Sequence, residues 1–309
     1  MTRLRWEDMS AGDPLGPVHY VLTPEVAAEF ARASNLSPAA AALLVGDQGR
    51  PAAHPVLTQS DYMQLLQDRY GPMGTGLHTR QRTVVHRPLP LNIALTGRGQ
   101  VTALEQKRGR DYWTIDYSVW ADARLLVEHQ MTASVDREDQ SQPEPAPARS
   151  PSAPQPPGPG TDRSAETVTF GSDLGRSFTF AGQVAFDRQY WLRYGPSRRT
   201  APNAHNDVEF ARAAGLPDAI AHSSHYYAWF AELALLRFGT RWLYGGTLSA
   251  RFLGPVFPGD ALSLSTAFGD DPGDVVRIRA INQRGRPIST GEAATAPVAG
   301  AQSSGVLDR

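Results

Sequence analysis

Apolar positions along the chain fall into two kinds of pattern, and each kind occurs twice. His225 to Phe238 (HYYAWFAELALLRF) is apolar nearly all the way round a helical turn, which marks a helix buried on most of its sides. Ala53 to Gly71 (AHPVLTQSDYMQLLQDRYG) aligns with Ala221 to Gly239 without a gap, so a long helix is predicted there as well. Both segments end in glycine, Gly71 and Gly239, the residue that most readily closes a helix in the left-handed region. The other pattern is alternation. Tyr112 to Trp120 (YWTIDYSVW) and Val275 to Ile281 (VVRIRAI) alternate with period two through their middles, as strands do when one face of a sheet is buried. A helix buried on most sides needs a sheet that curves around it.

The repetition extends further. Val21 to Ser34 (VLTPEVAAEFARAS) resembles Ala185 to Ser197 (AFDRQYWLRYGPS), with Thr23 and Asp187 as helix caps. His86 to Gly97 resembles Leu253 to Ser265, and each leads into an alternating strand. Matched positions stay 164 to 168 residues apart over about a hundred residues, His54 with His222 and Gly71 with Gly239 both at 168. Between the copies, residues 137–165 turn into EPAPARSPSAPQPPGPG, with almost nothing to bury. Such a stretch reads as an extended linker rising about 3.1 Å per residue. The chain therefore divides into a first unit (1–136), a proline-rich linker (137–165), a second unit (166–299) and a polar tail (300–309). The architecture is α+β: two curved antiparallel sheets, each wrapping a long central helix, a double hotdog.

Composition narrows the partners. Thirty basic residues against 31 acidic ones give a net charge of -1, so no basic surface asks for nucleic acid. The chain has no cysteine, which removes disulfides, thiolate metal sites and cysteine nucleophiles. The longest plain apolar run, Ala39 to Val45, is far below the roughly 18 residues of a membrane span, and Met1 to Ser10 lacks a secretory apolar core. A cytoplasmic protein without membrane contact is expected, either monomeric or a homodimer.

Candidate chemistry concentrates in the second unit. Thr200, Asn203, His205, Asn206, Asp207, His222, Ser223, Ser224 and His225 cluster before or at the start of the apolar helix, where the first unit carries only NLSPAAAALLVGDQGRPAAHP. A helix start offers backbone N–H donors that can stabilise a carbonyl oxygen as it becomes an oxyanion. A histidine facing it can act as the base.

NAHNDVEFARAAGLPDAIAHS, followed after the helix by SARFLGPVFPGD, resembles the MaoC-like (R)-specific enoyl-CoA hydratase and dehydratase family, and the first unit resembles the degenerate, non-catalytic hotdog of its two-hotdog members. The family motif runs D-x-N-P-x-H-x-D, and its Asp and His act on a thioester-linked acyl chain without cofactor or metal. His205 and Asp207 match, Thr200 falls on the catalytic Asp, and the Asn-Pro pair falls in reversed order on Pro202 and Asn203. A threonine hydroxyl neither gives nor takes a proton near neutral pH, so a plain Asp-to-Thr exchange costs about 3–5 kcal/mol of barrier.

The resemblance therefore implies a cofactor-independent dehydratase or hydratase acting on an acyl thioester of CoA or of an acyl carrier protein. His205 is its base, Thr200 and Asn203 its hydrogen-bonding partners, and the missing aspartate points to specialised, polyketide-like metabolism. Two alternatives stay open. One is a cyclase performing Michael, oxa-Michael or pericyclic closure in the same tunnel; the other is a non-catalytic acyl-binding or partner subunit. Ser223 and Ser224 read equally as helix caps and as the oxyanion region. His222, whose counterpart His54 lies in the unit without the motif, reads as a cap or packing residue before a ligand contact. His225, Tyr226 and Trp229 are core and tunnel wall, with a ligand-channel lining as the sharper alternative. Asp207 reads as a helix cap. Arg80, Arg82, Arg87, Arg198 and Arg199 are solvated charges or, alternatively, hold the phosphates of a CoA or phosphopantetheine arm. GTGLH (74–78) and GRGQ (97–100) read as ordinary turns.

Overall fold

The structure, a computed structural model, describes residues 6–71, 76–107, 110–135, 171–177, 202–268 and 275–295. Thr200, Asp187, Arg198, Arg199, the linker 137–165 and the tail 300–309 lie outside the described residues.

In the first half, β1 (Pro14–Val21) leads into α1 (Pro24–Ala33), and a single turn α2 (Pro38–Ala41) precedes a two-residue β2 (Ala52–Ala53). Thr23 caps α1 as expected, its hydroxyl accepting from the Val26 amide. A 3-10 turn (Pro55–Thr58) and α3 (Asp61–Tyr70) follow, then β3 (Gly76–Val85), a short β4 (Leu89–Pro90), β5 (Ala94–Lys107), β6 (Arg110–Ala121) and β7 (Arg124–Val135). The second half supplies β8 (Gly171–Ser177), α4 (Val208–Ala213), α5 (Ser224–Phe238), β9 (Gly246–Phe252), β10 (Ala261–Phe268), β11 (Val275–Asn282) and β12 (Pro287–Thr295).

Ten strands form one antiparallel sheet in the order β1-β5-β6-β7-β3-β9-β12-β11-β10-β8. Read outwards from the centre, the two halves have the same order of equivalent strands, so the repeat in the sequence is a pseudo-twofold axis in the fold. That axis passes between β3 and β9, where Gln81 pairs with Ala250 and Arg82 with Ser249. These pairs are 169 and 167 residues apart and bracket the sequence offset of 168. The halves thus share one continuous sheet.

Alternation places Trp113, Ile115, Tyr117 and Val119 of β6, and Val276, Ile278 and Ala280 of β11, on the inner face. α5 lies against that face, with thirteen of its fifteen residues buried. Phe230 packs closely over β12, where a Cβ on Gly291 would sit 2.7 Å from the ring and 2.5 Å from the Ser249 carbonyl. Glycine is the residue that leaves room there. Gly71 and Gly239 close α3 and α5 at φ 90° and 63°, as their positions predicted.

One expectation needs correction. The helix read over residues 53–71 is broken: Pro55–Thr58 is a 3-10 turn and α3 starts at Asp61. Proline at position 55 begins the turn without an amide donor, and α3 is ten residues long against fifteen for α5.

Polar contacts tie α5 to the first half. The Trp229 indole N–H donates to the Ser34 carbonyl at 2.6 Å, and buried Glu232 accepts the Ser37 amide at 3.2 Å. The Tyr227 hydroxyl meets Thr83 Oγ1 and the Leu248 carbonyl, both at 2.9 Å, beside the β3–β9 seam. Among the described residues no helix is long and apolar enough to cross a membrane.

Candidate functional site

The sequence around His205 folds into a tight loop because asparagine side chains substitute for backbone turns. Asn203 Oδ1 accepts the His205 amide at 2.8 Å, and the Asn206 side chain accepts the Asn203 amide at 2.9 Å. Asp207 then caps α4, its carboxylate accepting the Phe210 amide at 2.9 Å. In this geometry Asn203 shapes the loop that carries the histidine.

The loop presents His205 to the strip of chain that enters α5. His205 Nδ1 lies 3.0 Å from the Ile220 carbonyl. A carbonyl only accepts, so Nδ1 carries the proton and Nε2 keeps a bare lone pair. Burial holds the ring below the usual histidine pKa, partly offset by the Ile220 hydrogen bond, which favours the charged form. The result is a neutral imidazole with one fixed tautomer, which is what a general base requires.

His222 stands edge-on to His205, with ring centroids 4.7 Å apart. Its Nδ1 accepts the Ser224 amide at 3.2 Å, and its carbonyl accepts the His225 amide at 2.9 Å. The first-half counterpart does the same: His54 Nδ1 accepts the Val56 amide at 3.4 Å. Burial and the neighbouring histidines 205, 78 and 225 hold His222 well below the usual range. His54 falls to about 3 by burial alone, so a depressed histidine is a feature of the fold and does not by itself mark the site.

Ser223 and Ser224 differ in role. Ser224 is fully buried, and its hydroxyl meets the Gln59 side-chain amide and Ser60 Oγ, joining the starts of the two helical segments. Ser223 Oγ instead lies 2.5 Å from Nδ1 of His78 on β3. His225 packs edge-on to Trp229 at 6.4 Å and Tyr226 to Phe252 at 5.4 Å. All three of His225, Tyr226 and Trp229 are buried in the core packing.

The structure therefore brings His205, His222, Ser223 and His225 together at the entrance to α5 and adds His78, which stands in β3, and not in a loop, where the sequence predicts a turn. A cavity of about 330 Å³ lies elsewhere, lined by Arg82, Arg98, Asp116, Glu128 and Gln130 among others, and touches none of these residues. Of the arginines singled out, Arg80 faces Arg251 directly across the β3–β9 pair, two like charges in register. Among the described residues no group of three His, Cys, Asp or Glu is arranged to hold a metal ion.

Residues 202–285, in the second half, match the family described as "MaoC like domain". No curated protein matches the chain. Among solved structures, a MaoC-like dehydratase shares 17% identity at a TM-score of 0.67, covering 92% of this chain and 98% of that one. The full-length peroxisomal multifunctional enzyme type 2 of Drosophila melanogaster shares 17% identity at 0.64, over 91% of this chain and 48% of its own. A Mycobacterium tuberculosis protein described as having a double hotdog fold shares 17% at 0.58, over 94% and 97%. The fold is a MaoC-like double hotdog: the repeat predicted the double hotdog, and the motif's resemblance its MaoC-like type.

Proposed function

We propose that the protein is a cofactor-independent hydratase or dehydratase acting on an acyl thioester carried by CoA or an acyl carrier protein. The observation that carries this reading is His205: the Ile220 carbonyl fixes its Nδ1–H tautomer and leaves Nε2 as a base at the entrance to a buried helix. In dehydration Nε2 takes the proton from C2 of a 3-hydroxyacyl thioester and passes it to the leaving C3 hydroxyl; hydration runs the same transfers backwards.

The developing oxyanion on the thioester carbonyl needs a donor. The Ser224 and His225 amides are engaged by His222, which leaves the Ser223 amide as the donor in this turn. His222 keeps the turn in shape and His225, Tyr226 and Trp229 wall it. Thr200 and Asn203 act as hydrogen-bonding and loop-forming residues in place of the family's acidic partner. The facing Arg80 and Arg251 are destabilising as a bare pair and suit the phosphates of the thioester carrier. The lost acidic partner favours a specialised, polyketide-like substrate. The comparisons give the cyclase alternative no support.

The test is turnover of 2-enoyl and 3-hydroxyacyl CoA thioesters of several chain lengths, followed at the conjugated enoyl absorbance, with Thr200→Asp alongside. Turnover raised in Thr200→Asp supports a weakened member of this reaction class. No turnover from either protein contradicts the reading and leaves a non-catalytic partner subunit.

A further inference from the structure

Alternation along β3 sends Gln81, Thr83 and Val85 inward, where they are buried, and Arg80 and Arg82 outward, where they are exposed. His78 has the parity of the arginines and in an unbroken strand would point outward too. The register against β7 breaks here: His78 pairs with Ala133 and Arg80 with Thr132, so Thr79 is the extra residue of a bulge. Its hydroxyl donates to the Thr132 carbonyl at 3.0 Å. Bulges re-aim side chains, and this one turns His78 inward onto the start of α5.

Two contacts then fix the imidazole. Nε2 lies 3.0 Å from the Arg80 carbonyl and so carries the proton; Nδ1 is the acceptor and lies 2.5 Å from Ser223 Oγ. The Phe252 ring packs edge-on against His78 at 4.5 Å and holds its plane. The Ser223 hydroxyl has one hydrogen, and His78 takes it. The oxygen's lone pairs are left to accept.

We propose that His78 is a positioning residue contributed by the half without the MaoC-like motif: it orients the Ser223 hydroxyl so that this oxygen accepts a hydrogen bond from the C3 hydroxyl of the substrate, or from the water that adds there. The inference rests on the hydratase reading above. His205 removes the C2 proton, the C3–O bond breaks, the C2=C3 bond forms, and the same proton leaves with the C3 oxygen as water. Ser223 holds that oxygen on the side of His205 throughout, and His78 transfers no proton. Burial lowers the His78 pKa to about 3, with the Arg80 and Gln81 hydrogen bonds opposing and the nearby His205 acting in the same direction, so His78 stays a neutral acceptor.

The experiment compares His78→Leu, Ser223→Ala, the double variant and His78→Asn with the wild type, using trans-2-butenoyl-CoA and trans-2-octenoyl-CoA as probes. Each single variant is expected to lower kcat about 10- to 100-fold with KM nearly unchanged. The double variant should be no slower than the slower single one, and His78→Asn, whose amide oxygen can accept the serine hydrogen, should recover part of the loss. In parallel, 15N-histidine NMR should show His78 as the Nε2–H tautomer, with an Nδ1 resonance that moves in Ser223→Ala. Unchanged kcat in the single variants, fully multiplicative losses, or an Nδ1–H tautomer at His78 overturns the inference while leaving the hydratase reading intact. Absence of wild-type turnover overturns that reading, and the positioning role with it.

Discussion

The two halves share a backbone plan and differ where it counts for chemistry. At matched positions the first half reads His54-Pro55-Val56 and the second His222-Ser223-Ser224. Both histidines accept the amide two residues on. In the first half Pro55 removes both the amide hydrogen and the hydroxyl that Ser223 supplies at the matched position of the second, where a histidine-bearing loop is folded beside them. The entry to the helix is a structural device common to both copies. The chemistry proposed here was added to, or retained by, one copy, and the other contributes through a single bulged strand.

Four substitutions or conditions break or sharpen this contrast. The largest effect is expected for His205→Ala, a loss of about 10²–10⁴ in kcat. Its thermal midpoint should stay near that of the wild type, since the ring gives up only a hydrogen bond to the Ile220 carbonyl at the edge of the core. His54→Ala, in the other half, should leave kcat untouched.

Next comes Ser223→Pro, which writes the first half's residue into the second. Ser223 has φ -55°, which proline accepts, so the fold should persist. Turnover should drop about 10²–10³-fold, because the oxyanion amide and the oriented hydroxyl vanish together. Steady-state kinetics and a melting curve check both halves of that statement.

The third effect concerns acid stability and draws on both halves. Burial lowers His54 and His129 in the first half and His225 in the second to about 3. The unfolded chain, with ordinary histidines, binds more protons between pH 6.5 and 3. Stability is therefore full above pH 6.5 and falls as pH drops through that window, each group contributing up to about 1.4 kcal/mol per pH unit. Urea unfolding at pH 7.5 and 5.5 should show the slope, and His129→Gln and His225→Gln should each flatten it. A slope unmoved by both would refute this origin.

The smallest effect is the matched pair His54→Ala and His222→Ala. Each should cost about 1 kcal/mol of stability for a lost cap, and His222→Ala alone should alter kcat, through its contact with the His205 ring.

Much of the fold was legible because the repeat is written at constant spacing. The buried helix 225–238 declared itself by an apolar surface on all sides, and the glycine caps by their position. The 3-10 turn at Pro55–Thr58 was masked by its alignment to a true helix, although Pro55 itself carried the warning. The joining of both sheets through β3 and β9 is a tertiary pairing that no local pattern encodes. His205 was legible from the motif, and Asp207 as a cap from its place before VEFARA. His78 was not, because a bulge reverses its parity and one inserted residue leaves no mark in composition.

The most direct test of the central claim follows the proton at C2. Hydration of trans-2-butenoyl-CoA in D2O by the wild-type protein should yield product with one deuterium at C2. His205→Ala should abolish that incorporation, and His54→Ala should leave it unchanged. Deuterium entering C2 at the wild-type rate in His205→Ala would contradict the account, because the base would then lie elsewhere in the molecule.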